Sequence, residues 1–119
     1  MPSPPATPGE DPVQLTRDLA DVPAAEVIAA TAVHLMSAAA VKCGLTEQGE
    51  ATLDLDEARK LITALAGLVT AARPDLGVHA AALRDGLQAL QQAFREASPY
   101  PDEPGEGPGE QTIGRPTGP

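Results

Sequence analysis

Imidazole and thiol side chains, which commonly serve as metal ligands, bases or nucleophiles, are few in this 119-residue protein: two histidines, His34 and His79, and one cysteine, Cys43. On a helix, a second metal ligand or a catalytic partner of His34 would lie three or four residues further on. Those positions hold Ser37 and Ala38, so His34 is expected to be a surface or packed histidine. His79 lies at a predicted helix start and is expected to be solvated.

The cysteine is expected to be unreactive. Cys43 follows Lys42 at the end of a predicted helix, where the negative end of the helix dipole disfavours a thiolate and the lysine opposes this effect. No basic side chain forms a recognisable nucleophile pair with it. A single cysteine cannot form an internal disulfide, so nothing indicates an oxidising compartment.

The carboxylate cluster Asp54, Asp56 and Glu57 is better explained as a helix cap followed by first-turn charges than as a catalytic or metal site. The chain has no CxxC, HExxH, P-loop or GxGxxG motif. We therefore predict no catalytic residues, no cofactor and no metal, and we do not expect an enzyme.

Composition argues against two classes of ligand. The formal net charge is −9 and the pI is about 4.4, so phosphate backbones and anionic lipid headgroups repel the chain. The only aromatic residues are Phe94 and Tyr100, which provide no stacking platform for single strands. The first residues, MPSPPATPGEDP, lack the basic and apolar regions of a secretory signal, so the expected location is the cytoplasm.

The chain divides into three zones. Residues 1–22 and 98–119 are rich in proline and acidic residues, which predicts a disordered or weakly helical head and a disordered tail. The tail segment around Tyr100 also fits a polyproline-type recognition segment, although a solubilising tail is the simpler interpretation. Residues 23–97 are expected to form the folded domain.

The middle zone predicts three helices, at about residues 23–43, 55–73 and 78–97. Gly44 is placed as the left-handed residue that ends the first, and Asp54 as the N-cap of the second. The second and third helices carry apolar residues at steps of four and three: Ala58, Ile62, Leu65, Val69, Ala72, and Leu83, Leu87, Leu90, Phe94, Ala97. No strand pattern occurs, so the predicted class is all-α.

The first helix is more apolar than two neighbouring helices can cover. No charge occurs between Glu26 and Lys42, yet that stretch is too short and too rich in alanine for a membrane span, which needs about 20 strongly apolar residues. A second copy of the chain is the simplest cover, so we predict a homo-oligomer, with a dimer favoured. Its interface is predicted to contain Ile28, Ala32, Leu35, Met36 and Ala39. Small residues on the second helix, Thr63, Gly67 and Ala71, would permit close helix approach.

Three stretches, VIAATAVHLMSAAAVKCGL, LDLDEARKLITALAGL and LRDGLQALQQAF, resemble the bacterial domain-of-unknown-function family 1844, of the actinobacterial type. The resemblance covers about residues 24–97 and includes the Leu53-Asp54-Leu55 opening of the second helix. It implies a small helical domain and supplies neither an activity nor catalytic residues. Related genes tend to lie near those of a translation initiation factor and of ribosomal proteins, which links the resemblance to translation.

Two functions follow as expectations. The first is a non-catalytic interaction or scaffolding protein that forms a homo-oligomer. The alternative is an accessory factor for translation, whose acidic surface binds a basic ribosomal or initiation protein. A charge-driven partner should be lost at high ionic strength, whereas assembly through a helix face should persist.

Overall fold

A computed structural model of the chain describes residues 19–110. Three helices make up the domain: α1 (Ala24–Lys42), α2 (Leu55–Ala72) and α3 (His79–Ala97). Short 3₁₀ turns occupy Gly49–Thr52 and Arg73–Asp75. No strand occurs within the described range, and the predicted all-α, three-helix class is confirmed. The helix bounds differ from the predicted ones by at most one residue.

The connection from α1 to α2 is specified by backbone hydrogen bonds. Gly44, at φ +76°, lies just past the end of α1, and its N–H donates to the carbonyl of Val41 at 3.0 Å. The N–H of Leu45 donates to the carbonyl of Ala40 at 3.0 Å, which completes a Schellman motif. The predicted helix end at Gly44 is thus confirmed.

The start of α2 is capped by Asp54, as predicted, because its carboxylate accepts a hydrogen bond from the N–H of Glu57 at 3.2 Å. In a full capping box, the N–H of Asp54 would donate to the side chain of Glu57, but this reciprocal bond does not form. The N–H of Asp54 donates instead to the carbonyl of Lys42 at 2.8 Å, which ties the end of α1 to the start of α2. The Glu57 carboxylate pairs with Lys60 at 3.1 Å.

The core lies where the three helices meet, and each helix packs against the other two. Its most deeply buried large side chains are Ile62 and Leu65 of α2 and Leu76 of the loop that follows. α3 contributes the face Leu83, Leu87, Leu90 and Phe94, whereas α1 contributes chiefly alanines, Ala29, Ala32 and Ala39. The seams predicted on α2 and α3 are therefore the inner faces of those helices.

Residues 98–110 differ from the predicted disordered tail, because they run back across α2 and α3. The side-chain amide of Gln91 donates to the carbonyl of Pro108 at 3.0 Å, and Gly107 and Pro108 are buried. The segment has few apolar residues, so composition gives no sign of this contact. The structure describes neither residues 1–18 of the head nor residues 111–119 of the tail, so the predictions for those parts lie outside it.

Two glycine substitutions are expected to change stability in opposite directions. Gly44→Ala should lower the free energy of unfolding by about 1–2 kcal/mol, because it forces an alanine into the left-handed region. Its Cβ would also lie 3.3 Å from the carbonyl oxygen of Gly49. Gly67→Ala lies inside α2, with nothing within 4 Å of the new Cβ, and should raise the free energy of unfolding by about 0.5–1 kcal/mol. Urea unfolding followed by circular dichroism tests both predictions. Equal changes in the free energy of unfolding would contradict the left-handed conformation of Gly44.

Candidate functional site

The two histidines lie in different environments. Within residues 19–110, no group of three or more His, Cys, Asp or Glu side chains is placed to hold a metal ion. His34 is exposed in the middle of α1. His79, predicted to be solvated, instead lies with its Nε2 3.0 Å from Oε1 of Glu26, which joins the first turns of α1 and α3. This contact is tertiary, since the two residues are 53 positions apart.

Cys43 is buried, with 5% of its surface exposed, at the junction of α1 and the following loop. Burial raises the pKa of the Cys43 thiol, because the surrounding atoms solvate a thiolate less well than water does. The neutral thiol is therefore favoured. The sequence predicted an unreactive thiol from its place at the helix end, whereas the cause that raises the pKa of the thiol is burial.

The thiol is expected to react with a disulfide reagent such as DTNB at least about tenfold more slowly in the folded protein than in the protein unfolded by guanidinium. The thiolate is the reactive species, and a raised pKa lowers its population at any given pH near neutrality. The folded rate should therefore keep rising at pH values where an ordinary thiol has already reached its plateau. Equal rates in the folded and unfolded states would contradict the burial of Cys43.

The five residues predicted for the assembly interface fall in two different environments. Ala32 and Ala39 are 0% exposed inside the chain's own core. Ile28, Leu35 and Met36 are half-buried and pack against that core. Met36 reaches α3, where its Cε occupies the space that a Cβ on Gly86 would need. As a set, these residues are the inner side of α1, so they do not form a free surface.

The reason for this difference is geometric. The sequence shows that α1 is apolar nearly all round, so it does not indicate which face α2 and α3 cover. In the folded chain they cover the side with the most aliphatic bulk, including Ile28, Leu35 and Met36. The opposite side, which we call the outward face, remains uncovered by the described residues. Its exposed or half-exposed members are Val27, Ala30, Thr31, Val33, His34, Ser37, Ala38 and Val41.

The outward face carries no formal charge, in a chain whose net charge is −9, and five of its eight members are valine or alanine. Val27 and Val33 are 38% and 52% exposed. Thr31 satisfies its own hydroxyl by donating to the carbonyl of Val27 at 2.9 Å, so it adds little demand for water. The face is bounded at its two ends by Glu26 and Lys42.

His34 lies at the centre of the outward face, both along the helix and around it. At about 100° per residue, Val27 and Val41 lie roughly 20° to either side of His34, and Ala30 and Ala38 roughly 40°. The residue types therefore mirror one another about this position. The pairs are Val27 with Val41, Ala30 with Ala38, and Thr31 with Ser37, and the outer pair Glu26 with Lys42 is opposite in charge.

This mirror arrangement is visible in the sequence, although hydrophobic periodicity does not reveal it. Sequence reasoning selected the most apolar stripe of α1, which the fold uses for its own core. The symmetry of residue types about His34 is a separate feature of the sequence, and it lies on the outward face. The small residues Thr63, Gly67 and Ala71 of α2 do not face another helix, because no atom that the structure describes would lie within 4 Å of a Cβ on Gly67.

By length and composition, α1 also qualifies as a helix that could cross a membrane, with a mean hydropathy of 1.6 over its most apolar 18-residue window. Only 17% of that window is buried within the domain. The same low burial is what an uncovered assembly face produces. The inner residues Ala32 and Ala39 are nevertheless part of the core formed with α2 and α3.

The three-helix domain matches a known family. The family model described as "Domain of unknown function (DUF1844)" matches residues 25–96, more than half of the chain and all but the ends of the three-helix domain. Comparison with curated proteins and with solved structures gives no match.

Proposed function

From the premise that the chain belongs to the DUF1844 family, whose description assigns no activity, we propose that this protein is a non-catalytic cytoplasmic assembly protein that pairs with a second copy through the outward face of α1. The observation that carries the proposal is the uncharged outward face centred on His34. A two-fold axis through His34 pairs Val27, Ala30 and Thr31 of one copy with Val41, Ala38 and Ser37 of the second.

The residue pairs favour an antiparallel arrangement of the two α1 helices. Valine then meets valine, and alanine meets alanine, so the surfaces can approach closely without a steric mismatch. Glu26 of each copy lies near Lys42 of the other, which favours the antiparallel over the parallel arrangement. The Glu26 carboxylate can serve this contact as well as His79, because its side chain is 56% exposed.

Electrostatics favour this face over any other for a second copy. Two chains of charge −9 repel each other, and contact through a surface without carboxylates keeps the negative charges at the greatest distance. One helix of 19 residues is about 28 Å long, so the interface is a small one. We therefore expect a dissociation constant on the order of micromolar.

The test is the oligomeric state of the full chain, measured by sedimentation velocity over a range of concentrations at low and high salt. We expect a monomer–dimer equilibrium that survives high salt, because the contact is apolar. A monomer at all concentrations would overturn the proposal. Sedimentation only in the presence of lipid vesicles would assign α1 to a membrane instead.

The second candidate is a translation-associated factor that binds a basic ribosomal or initiation protein. The net charge of −9 supports it. Native co-purification at low salt would then recover ribosomal or initiation proteins that are lost at high salt. This candidate would be favoured if those proteins co-purify with the wild-type chain but not with a variant whose carboxylates are neutralised.

A further inference from the structure

The segment formed by residues 98–110, here called the strap, lies in a groove between α2 and α3. Its closest approach is at Gly109, where φ is +74° and the backbone rests on the Ala66 turn of α2. A Cβ built on Gly109 would lie 2.5 Å from the Cβ of Ala66 and 3.2 Å from Nε2 of Gln91 on α3. Only a residue without a side chain fits at this point.

Two arginines border the groove and pair with two acidic side chains of the strap, Asp102 and Glu110. Arg95 of α3 pairs with the Glu110 carboxylate, with its Nη2 2.9 Å from each oxygen, and also donates to the carbonyl of Asp102. Arg59 of α2 pairs with the Asp102 carboxylate at 3.0 Å, and its guanidinium lies 4.9 Å from the ring centroid of Phe94. Each acidic contact is therefore charge-assisted.

The backbone of the strap completes the site around the carboxylate. The N–H groups of Gly105 and Gly107 donate to Oε1 of Glu110 at 3.0 and 3.3 Å. The strap is thus a curled acidic Pro/Gly segment whose last carboxylate faces a cation. These contacts define what the groove recognises: a small residue over Ala66, a carbonyl for Gln91, and carboxylates for Arg59 and Arg95.

The strap is held against α2 and α3 more weakly than the three helices are held against one another. Its buried residues are Gly107 and Pro108, so it removes little apolar surface from water. Neither of its ion pairs with the helices is fully buried, since the side chains of Arg59 and Asp102 are 46% and 29% exposed and those of Arg95 and Glu110 are 30% and 19% exposed. Segments held in this way open at a lower free energy than the core. Opening would expose Ala66 and leave two arginines without their present partners.

We propose that the α2/α3 groove is a binding site for an acidic, Pro/Gly-rich segment of a partner protein, and that the strap is its occupant in the resting chain. The covalent link gives the strap an effective concentration in the millimolar range, so a competing segment binds only when the strap is released. This interaction uses a surface distinct from the outward face of α1.

The test uses the full chain carrying Gly109→Val, which displaces the strap without removing a charge. The valine clashes with Ala66 and takes a positive φ, so the altered strap fits neither its own groove nor that of a second copy. A fluorescent peptide of residues 98–110 with the natural sequence is titrated and followed by anisotropy. We expect saturable binding to this variant, and binding at least about tenfold weaker to the wild-type chain.

Two controls distinguish peptide binding in the groove from binding that results from general destabilisation of the domain. Gly105→Val puts the same residue at a similar positive φ, +84°, but its Cβ meets nothing within 4 Å, so this variant should bind the peptide at most slightly better than the wild type does. Adding Arg95→Gln to Gly109→Val should reduce peptide binding at least about tenfold. A peptide with glutamine in place of Glu110 should bind correspondingly less well.

Hydrogen exchange reports whether the strap has been released. In Gly109→Val, the amides of Gly105 and Gly107 should lose protection while the amides of α1, α2 and α3 keep theirs. If Gly109→Val unfolds the helices, Glu110→Gln takes its place as the opened variant. A released strap with no saturable peptide binding would overturn the proposal and leave the strap as a structural cover only.

Discussion

His34→Asp is expected to convert the proposed dimer into a monomer while leaving the fold of each chain intact. His34 is exposed in the single chain, so the substitution removes no core contact. In the proposed dimer it lies on the two-fold axis, where two carboxylates would face each other away from water. Burying unpaired like charges costs about 3 kcal/mol or more, which raises the dissociation constant at least about a hundredfold.

Thr63→Asp is the matched control for this substitution. It adds the same charge to an exposed position inside a helix, but on α2 and away from the outward face. Sedimentation velocity should show a monomer for His34→Asp and a dimer for Thr63→Asp, with similar circular dichroism spectra. A dimer of unchanged affinity in His34→Asp would show that the outward face is not the contact.

Leu35→Asp, the more obvious choice from the sequence, would not discriminate. Leu35 is half-buried and packs against the core of its own chain. An aspartate there would destabilise the monomer, and loss of the dimer would then follow from unfolding. Thermal melting at several concentrations separates the two effects, because only a dimer makes the melting temperature depend on concentration.

Leu65→Ala is expected to lower the free energy of unfolding by about 2–5 kcal/mol. Leu65 is 0% exposed on the inner face of α2, and truncation leaves a cavity among the three helices. A single core in a domain of this size rarely supplies more than about 3–5 kcal/mol. The variant should therefore be partly unfolded at room temperature unless assembly restores it.

The matched control is Leu45→Ala, the same truncation at a residue that is 58% exposed. It should change the free energy of unfolding by less than about 0.5 kcal/mol. Urea titrations at one protein concentration, followed by the helical circular dichroism signal, compare the two. Equal changes would mean that Leu65 does not occupy the core described for it.

The helices were predictable because their signals are local. Asp54 and Gly44 act through hydrogen bonds to residues only a few positions away, and the spacing of Ile62, Leu65 and Val69 follows directly from the geometry of a helix. The inner faces of α2 and α3 were predictable for the same reason, since each of these helices has one apolar side. Such contacts depend little on the rest of the fold.

The orientation of α1 was not predictable in this way. A helix that is apolar nearly all round carries no periodic signal that distinguishes its inner from its outward face. Tertiary packing chose Ala32 and Ala39 for the core and left Val33 and His34 outside. Of the residues predicted for the interface, Ala32 and Ala39 are therefore buried in the core of the single chain, and Ile28, Leu35 and Met36 are half-buried against it.

Local signals in the chain thus specify three helices, their caps and an all-α class, because neighbouring residues supply all the necessary contacts. Only the tertiary structure brings Glu26 to His79, Asp102 to Arg59 and Glu110 to Arg95. These pairs join separate elements, and charge composition is the same whether or not they form. The outward face and the strap groove arise from that long-range placement, since a face is open or occupied only relative to the elements packed around it.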